Sequence, residues 1–222
     1  LFYCANFYIS LPSLQERRAP VSTVQIKRGC MRLCIFSGSS PGRLPVYSEM
    51  AAQLGQALAK AGIGLVYGGA SVGLMGAVAD AALASGGEVI GVMPEFLAAK
   101  ELAHTGLDDL RIVGSMHERK ALMAELSDGF IALPGGIGTF EELFEVWTWA
   151  QLGQHAKPCA LLNINGFYDG LASFLDNVVG EAFLKPVHRD MLIVEPNVAR
   201  LMAAVLSYQA PDVPKWIKRD DT

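Results

Sequence analysis

The segment Pro134–Glu142 combines three glycines with two neighbouring acidic side chains. It follows the apolar run 130–133, so the chain has the order of a strand, a glycine-rich loop and a helix. Gly135, Gly136 and Gly138 allow the backbone to approach a ligand closely, and the free N–H groups at the start of the next helix attract an anion. A phosphate site with carboxylates beside it indicates chemistry on a group attached to the phosphate.

Two more loops of this kind follow predicted strands. Ser37, Gly38 and Ser39 come directly after the first strand and offer two hydroxyl groups to a ligand. The glycine-rich segment 68–76 follows the second strand. Because the carboxyl ends of parallel strands meet at one edge of a sheet, we expect the three loops to lie together and to bind a nucleotide phosphate. For Gly68, Gly69 and Gly76, ligand binding and close packing of helix against strand both stay open.

The glycine pattern differs from two common nucleotide-binding motifs. The dinucleotide motif G-x-G-x-x-G belongs after the first strand, whereas Gly136-Ile137-Gly138 follows the fifth and lacks the third glycine. No G-x-x-x-x-G-K-[ST] occurs in the chain, which excludes a P-loop NTPase. A mononucleotide therefore fits the three loops better than a dinucleotide.

The elements that carry these loops alternate between apolar strands and helices from Met31 onward. Uniformly apolar strands separated by helices predict an α/β fold, a Rossmann-like doubly wound parallel sheet with helices on both faces. The pattern predicts strands at 32–36, 64–67, 88–93, 110–113, 129–133, 159–163 and 191–194. It predicts helices at 46–61, 116–126, 139–152, 168–179 and 196–208, with an alanine-rich helix that ends at 85.

Three parts of the chain differ in composition. Residues 1–30 carry four basic residues, one acidic residue and no clear periodicity, which predicts a poorly structured N-terminal segment. Residues 31–210 predict a single Rossmann-like nucleotide-binding domain. The charged, proline-bearing residues 211–222 predict a surface tail.

Composition and charge narrow the range of partners. A net charge of −4 lacks the basic surface that binds duplexes, so we expect no nucleic-acid partner. No apolar stretch approaches the ~20 residues of a membrane span, so we expect no membrane partner. The four cysteines form no CxxC pair and have no histidine at zinc-like spacing, which predicts reduced thiols in the cytoplasm and no metal site.

Three motifs in the same order resemble those of a known family. Pro134–Glu142, read as Pro-Gly-Gly-x-Gly-Thr-x-x-Glu, resembles the signature of the LOG family, the cytokinin riboside 5′-monophosphate phosphoribohydrolases, formerly described as lysine decarboxylases. Met116–Met123 is similar to that family's Met-x-x-Arg-Lys helix, and Tyr67–Gly76 is similar to its second-strand turn. The resemblance extends from Met31 to Tyr208.

This resemblance implies hydrolysis of the N-glycosidic bond of a nucleoside 5′-monophosphate, with a free base and ribose 5-phosphate as products. By motif position, Arg119 and Glu142 correspond to the catalytic pair. The resemblance also implies a homodimer, and we expect no cofactor. The positions that correspond to nucleotide contacts are Lys120, the run Gly136–Glu142 with Gly138, Thr139 and Glu141 in it, and, by spacing alone, Glu101 and Thr148.

The residue types suit this reaction. Breaking a ribosyl–base bond builds positive charge on the sugar and negative charge on the departing base. A carboxylate beside the anomeric carbon stabilises the sugar and can orient or deprotonate water, and we assign this role to Glu142. An arginine can stabilise the departing charge or hold the phosphate. We assign the cationic role to Arg119, with the choice between base and phosphate open.

Structural explanations of the same residues also stay open. Thr139 and Glu142 have the T-x-x-E spacing of a capping box, in which both side chains only satisfy N–H groups at a helix start. Glu141 is then the alternative working acid. For Arg119, which follows Glu118, the alternative is an ordinary charged residue on a solvated helix face.

Two other functions compete with hydrolysis. A pyridoxal-phosphate decarboxylase acting on lysine would need a Schiff-base lysine, and Lys120 has no flanking signature for that role. A non-catalytic nucleotide or cofactor carrier would need the glycine loops, but not Arg119 and Glu142 together. The sequence also leaves the preferred base open, since plain AMP is an alternative to a cytokinin nucleotide.

The helices predicted at 116–126 and 139–152 carry more apolar bulk than one sheet face needs. This excess favours a homodimer. We expect Phe144, Trp147 and Trp149 to bury the second of these helices, partly at a subunit contact.

Overall fold

The computed structural model describes residues 31–98 and 103–212, so the segment 1–30, residues 213–222 and Glu101 lie outside the described residues. The strands are β1 (Arg32–Phe36), β2 (Gly64–Tyr67), β3 (Val89–Pro94), β4 (Asp109–Val113), β5 (Gly129–Ala132), β6 (Cys159–Leu162) and β7 (Leu192–Glu195). The helices are α1 (Pro45–Lys60), α2 (Gly73–Ala84), α3 (Glu95–Ala98), α4 (Met116–Leu126), α5 (Ile137–Gln151), α6 (Asp169–Gly180), α7 (Pro186–Arg189) and α8 (Val198–Leu206). None of these helices is long and apolar enough to span a membrane.

Within the described chain, seven strands form one sheet in the order β4-β3-β2-β1-β5-β6-β7. Every pair of neighbouring strands is parallel, which confirms the predicted doubly wound α/β fold. The strand order reverses between β1 and β5, which pair from Leu33 with Gly129 to Phe36 with Ala132. In an open sheet such a reversal leaves a crevice beyond the carboxyl ends of the strands, where ligands bind.

Two apolar cores, one on each face of the sheet, hold the helices in place. On β1, Leu33 and Ile35 belong to the core shared with α1, α2 and α8. Cys34 and Phe36 belong to the core shared with α4, α5 and α6. All four side chains are buried, as expected of a parallel strand that is covered on both faces. The helices that lie beside the crevice are therefore fixed by packing on both sides of the sheet.

The structure differs from the sequence predictions mainly at short elements and helix ends. The four-residue helices α3 and α7 and a 3-10 turn at Ile164–Gly166 were not predicted, because such short elements do not complete a hydrophobic period. Helix α5 begins at Ile137 and not at Thr139, because Gly136 is extended (φ −96°, ψ −157°) and takes the N-cap position. This earlier start changes the interpretation of two site residues.

Candidate active site

The loops after β1, β2 and β5 meet at the carboxyl edge of the sheet, as predicted. The N–H of Gly38 donates a hydrogen bond to the carbonyl of Pro134 at 3.0 Å, and the N–H of Leu74 donates to the carbonyl of Gly38 at 3.0 Å. The loop after β1 therefore connects the other two. Backbone hydrogen bonds of this kind hold the site without using any side chain that a ligand could need.

Two glycines are required for the close approach of these loops. Gly73 has a positive φ of +58°, and a methyl group there would overlap the backbone of Ser39 and Ser40. A methyl group on Gly135 would overlap the side chain of Thr139 and lie 2.9 Å from the nitrogen of Gly38. Gly73 therefore allows the loop after β2 to pack against the loop after β1.

A cavity of about 330 Å³ opens between these loops and the helices α4 and α5. Three charged side chains line it, those of Arg119, Glu141 and Glu142. The structure thus brings the predicted catalytic pair and the predicted phosphate loop to one cavity. The other predicted residues that line it are Ser37, Gly38, Ser39, Gly136, Gly138 and Thr139.

The cavity has donors that suit an anion. Helix α5 begins at Ile137 without any side-chain cap, so the first N–H groups of this 15-residue helix are available to a ligand. The hydroxyl of Ser37 is buried, lines the same cavity and has no hydrogen-bond partner among the described residues. Ser39 is exposed at the rim. A phosphate at this position would satisfy several of these donors at once.

The same cavity holds an arginine and a glutamate that are largely removed from water. The side chains of Arg119 and Glu142 are each 11% exposed, with 3.4 Å between Nη2 and Oε1. This distance exceeds the 2.7–2.9 Å of a tight charge-assisted bond, so each group retains capacity for a ligand. The Nε atom of Arg119 is buried and has no partner among the described residues.

Burial changes the acidity of Glu142. Removal from water raises the pKa of its carboxyl group from 4.5 to about 7, while the nearby Arg119 guanidinium acts in the opposite direction. The carboxyl group is therefore balanced between its neutral and charged forms near neutral pH. A general base or acid is most effective when its pKa lies near the working pH.

Gly68, at the end of β2, makes room for the arginine. A methyl group at this position would overlap the guanidinium of Arg119. Arg119 also lies 3.8 Å from the sulfur of Met116. The sequence did not decide between ligand binding and close packing for Gly68. In the structure, its lack of a side chain leaves room for the guanidinium that pairs with Glu142.

The capping interpretation of Thr139 and Glu142 is wrong. Because α5 begins at Ile137, Thr139 lies inside the first turn and cannot occupy the N-cap. The interpretation of Arg119 as a solvated charge is also wrong, since its side chain is only 11% exposed. The local spacing of residues left both alternatives open, because it does not contain the helix start or the burial that exclude them.

A cap does exist on the helix that carries Arg119. The hydroxyl of Ser115 accepts a hydrogen bond from the N–H of Glu118 at 3.1 Å. The carboxylate of Glu118 in turn accepts from the N–H of Gly114 at 2.8 Å. These bonds satisfy N–H groups at the start of α4 and thereby fix its first turn.

Three residues expected at the ligand have other positions or lie outside the description. The ammonium of Lys120 lies 2.5 Å from Oε1 of Glu141 and 3.1 Å from Oε1 of Glu145. Thr148 is exposed on α5 and does not line the cavity. Glu101 falls in the gap between residues 98 and 103.

Sequence reasoning missed several residues that shape the site. Met75, Met116 and Met123 line the cavity that holds the charged pair. In the sequence, methionines at these positions cannot be distinguished from methionines that only pack in the core. The hydroxyl of the buried Tyr168 donates a hydrogen bond to the carbonyl of Leu133 at 2.6 Å. This bond holds the backbone directly before the glycine loop.

A second cavity of about 300 Å³ adjoins the first. It shares Gly38, Ser39 and Gly136 with the first cavity, and its apolar wall is formed by Leu74 and by the aromatic pair of Tyr47 and Phe167. Among the described residues no three His, Cys, Asp or Glu side chains cluster closely enough to hold a metal ion. Of these two cavities among the described residues, the first combines an anion site with a buried acid and a cation.

Solved structures agree with the fold. A molybdenum cofactor binding protein from Rippkaea orientalis is 23% identical, with a TM-score of 0.62 over 81% of this chain and 98% of that chain. The molybdenum cofactor carrier protein from Chlamydomonas reinhardtii is 23% identical, with a TM-score of 0.60 over 80% of this chain and 97% of that chain. Identities this low establish the architecture alone.

Sequence comparisons establish the family. The family model described as "possible lysine decarboxylase" matches residues 75–205. A probable cytokinin riboside 5′-monophosphate phosphoribohydrolase from Oryza sativa subsp. japonica is 51% identical over 81% of this chain and 73% of its own length. A cytokinin riboside 5′-monophosphate phosphoribohydrolase from Rhodococcoides fascians is 50% identical over 86% of this chain and 98% of its own length. With the glycine loop and the Arg119–Glu142 pair in one cavity, this chain belongs to the family of the cytokinin riboside 5′-monophosphate phosphoribohydrolases, the LOG family.

Proposed function

We propose that this chain hydrolyses the N-glycosidic bond of a cytokinin nucleoside 5′-monophosphate and releases the free base and ribose 5-phosphate. The observation that carries the proposal is the buried pair of Arg119 and Glu142 beside the N-terminus of α5. An anion site lies next to a carboxyl group with a pKa of about 7. This arrangement suits a nucleoside 5′-monophosphate, in which the N-glycosidic bond lies close to the phosphate. The names of relatives about half identical to the chain describe the same reaction.

In the proposed mechanism the phosphate binds at the first N–H groups of α5 and at the hydroxyl of Ser37. The ionised carboxylate of Glu142 orients water at the anomeric carbon and stabilises the positive charge that develops on the ribose. The water oxygen bonds to this carbon as the bond to the base nitrogen breaks, and Glu142 takes up the proton. Arg119 stabilises the base, which leaves with the bonding electrons, while the N-terminus of α5 holds the phosphate.

The lining of the cavity supports a base with an apolar substituent. Met75, Met116 and Met123 offer flexible thioether side chains to the cavity, and the sulfur of Met116 lies 3.8 Å from Arg119, where the base would lie. Such side chains adapt to irregular apolar groups. We therefore propose that a cytokinin nucleotide is preferred to plain AMP, and that the ligand is this small molecule and not a nucleic acid.

The two rival functions fit the site less well. A Schiff-base lysine needs a depressed pKa, whereas hydrogen bonding to Glu141 raises the pKa of Lys120. A carrier needs an anion site, but it has no use for a buried glutamate beside an arginine. The fold that the chain shares with molybdenum cofactor proteins does not distinguish a carrier from an enzyme.

The experiment that tests the proposal follows ribose 5-phosphate release by the purified protein. Isopentenyladenosine monophosphate should be hydrolysed with a higher kcat/KM than AMP. The matched nucleoside without phosphate is the control and should react far more slowly, because it cannot use the N-terminus of α5. Binding of both nucleotides without any release would support the carrier and contradict hydrolysis.

We further propose that the protein forms a homodimer and that it is located in the cytoplasm. Ile112 is 50% exposed on the edge strand β4, and Phe96 and Met116 are exposed apolar residues on neighbouring elements. Trp147 does not belong to this surface, since it is buried and its indole N–H donates to the carbonyl of His188 at 3.0 Å. The buried free thiols Cys34 and Cys159 are compatible with a reducing compartment.

A further inference from the structure

Tyr168 connects the loop after β6 to the glycine loop of the cavity. It lies directly before α6, and the residue is 1% exposed. Strand β5 ends at Ala132, so the carbonyl of Leu133 lies beyond the end of the strand. The hydroxyl of Tyr168 donates to this carbonyl at 2.6 Å, which is at the short end of the range for a hydrogen bond between two oxygens. The loop after β6 therefore reaches the residue that precedes the glycine loop.

The ring of Tyr168 also contacts the helix at the other end of the glycine loop. The centroids of the Tyr168 and Phe140 rings lie 6.1 Å apart, and the rings meet edge to face at 80°. The N–H of Phe140 donates to the carbonyl of Gly136 at 3.2 Å and so closes the first turn of α5. Tyr168 thus contacts the chain on both sides of the N–H groups that are available to a phosphate.

Other contacts fix Tyr168 itself. Its N–H donates to the side-chain oxygen of Asn163 at 2.7 Å, and the side-chain amide of Asn163 donates to Asp169 at 2.7 Å. The N–H of Asn163 donates to the carbonyl of Glu195 on β7 at 2.8 Å. Burial raises the pKa of the Tyr168 phenol far above its ordinary value, so the hydroxyl keeps its proton and stays a donor near neutral pH. A side chain held in this way can fix a segment whose glycines allow many conformations.

We propose that Tyr168 is a positioning residue for the phosphate site, which acts through Leu133 and Phe140. Its hydroxyl holds the backbone after β5 and its ring holds the first turn of α5, so the free N–H groups between them keep the alignment that a phosphate needs. Donors that are already ordered bind an anion more tightly, because binding does not have to order them. This inference rests on the phosphate site of the function proposed above.

The test compares Tyr168→Phe with the matched control Tyr67→Phe. Both changes remove one hydroxyl from a buried ring, but the hydroxyl of Tyr67 has no hydrogen-bond partner among the described residues. In Tyr168→Phe the dissociation constant of ribose 5-phosphate, measured by calorimetry, should rise about fivefold, as expected for the loss of one hydrogen bond. The KM of isopentenyladenosine monophosphate should rise with it, while kcat stays within about twofold. Tyr67→Phe should leave these constants unchanged, and an equal rise in both variants would overturn the inference.

Binding of the nucleoside isopentenyladenosine separates positioning from a general loss of structure. This molecule carries no phosphate, so its dissociation constant should be the same in the wild type and in Tyr168→Phe. Equal weakening of isopentenyladenosine and ribose 5-phosphate would overturn the inference in favour of a purely structural role. A wild type that binds no ribose 5-phosphate would overturn it together with the proposed phosphate site.

Direct binding also separates this inference from the proposed hydrolysis. If the wild type does not hydrolyse the nucleotide but Tyr168→Phe binds added ribose 5-phosphate more weakly than the wild type, the hydrolysis fails and the positioning role stands. If turnover occurs and the affinity for ribose 5-phosphate is the same in both proteins, the positioning role of Tyr168 is wrong.

Discussion

Glu142 shows how one side chain can combine reactivity with a cost in stability. Its carboxyl group is buried beside Arg119, and burial moves its pKa from 4.5 to about 7. The neighbouring Glu141 lines the same cavity but is half exposed and paired with Lys120. Two adjacent glutamates therefore differ in environment, and only Glu142 has the environment of a general base.

We expect Glu142→Gln to lower kcat by roughly 10²- to 10⁴-fold, because the amide cannot accept the proton of water. The dissociation constant of the nucleotide should stay close to that of the wild type, since Gln has nearly the same shape. Glu141→Gln is the matched comparison and should lose much less activity. Abolished turnover in Glu141→Gln with retained turnover in Glu142→Gln would reverse the assignment. Single-turnover kinetics and equilibrium binding provide the two measurements.

The raised pKa of Glu142 also predicts how stability depends on pH. The folded protein binds this proton more tightly than the unfolded chain, so the stabilisation is complete below pH 4.5 and is lost as pH rises through about 7. Relative to Glu142→Gln, the wild type should lose about 3 kcal/mol of unfolding free energy between pH 4.5 and 8. Urea titrations of both proteins at several pH values measure this difference. Parallel stability curves for the two proteins would contradict the raised pKa.

At the scale of the elements, the helices α4 and α5 and the glycine loops determine the geometry of the site. Helix α4 presents Arg119 in its first turn, and α5 presents both its free N–H groups and Glu142. The loops approach each other so closely that Gly73 and Gly135 have no room for a side chain. Small changes at helix ends or in these loops should therefore affect catalysis without touching a catalytic group.

Removal of the cap on α4 should affect activity as well as stability. Ser115→Ala removes the hydroxyl that accepts from Glu118 and should cost about 1 kcal/mol of unfolding free energy. Because Arg119 lies one turn away, kcat should also fall severalfold. Asn197→Ala is the matched control, since Asn197 caps α8, which packs away from the cavity. Its loss of stability should be similar, with kcat unchanged; equal losses of kcat in both variants would refute a local role for the cap.

The phosphate loop offers a second matched pair. Gly135→Ala should destabilise the protein by about 1–3 kcal/mol, because the methyl group would overlap Thr139 and push the loops apart. At Gly138 a methyl group meets no atom within 4 Å, and alanine favours the helix. The thermal midpoint should fall in Gly135→Ala and stay level or rise in Gly138→Ala. Equal midpoints in the two variants would show that the close approach at Gly135 is not required.

At the scale of the whole molecule, the strand order places the site and determines which strands lie at the edges of the sheet. The reversal between β1 and β5 creates the crevice, and each face of the sheet holds one set of helices. The strand β4 lies at one edge and β7 at the other. Exposed Ile112 on β4 adjoins the side of the molecule that carries α4, so the proposed dimer would form next to the site.

A charge on this edge should therefore disrupt the dimer. Ile112→Glu replaces a side chain that is 50% exposed with one that carries a carboxylate. This change should shift the protein towards monomers without unfolding it. Phe183→Glu is the control, because Phe183 is 87% exposed on the far side, between α6 and α7. Light scattering coupled to gel filtration gives the mass of each variant. A wild-type monomer, or a dimer that survives in Ile112→Glu, would contradict the proposal.

The sequence by itself determined the parallel α/β fold, the strands to within about two residues, and the meeting of three loops at one sheet edge. These follow from local periodicity and from the rule that parallel strands end on the same side. It also pointed to Ser37, Gly136 and the Arg119–Glu142 pair, through motif spacing and resemblance. The spacing of Thr139 and Glu142 did not show where α5 begins. It also did not show whether Glu142 caps the helix or is buried in the cavity.

Only the tertiary structure decided the environment of the charges. Arg119 and Glu142 are 23 positions apart in the sequence, so their 3.4 Å separation depends on how α4 and α5 pack on the sheet. The same packing raised the pKa of Glu142, placed Lys120 between Glu141 and Glu145, and gave Gly68 its role beside the guanidinium. Burial and charge proximity are properties of three-dimensional neighbours, which a linear pattern does not specify.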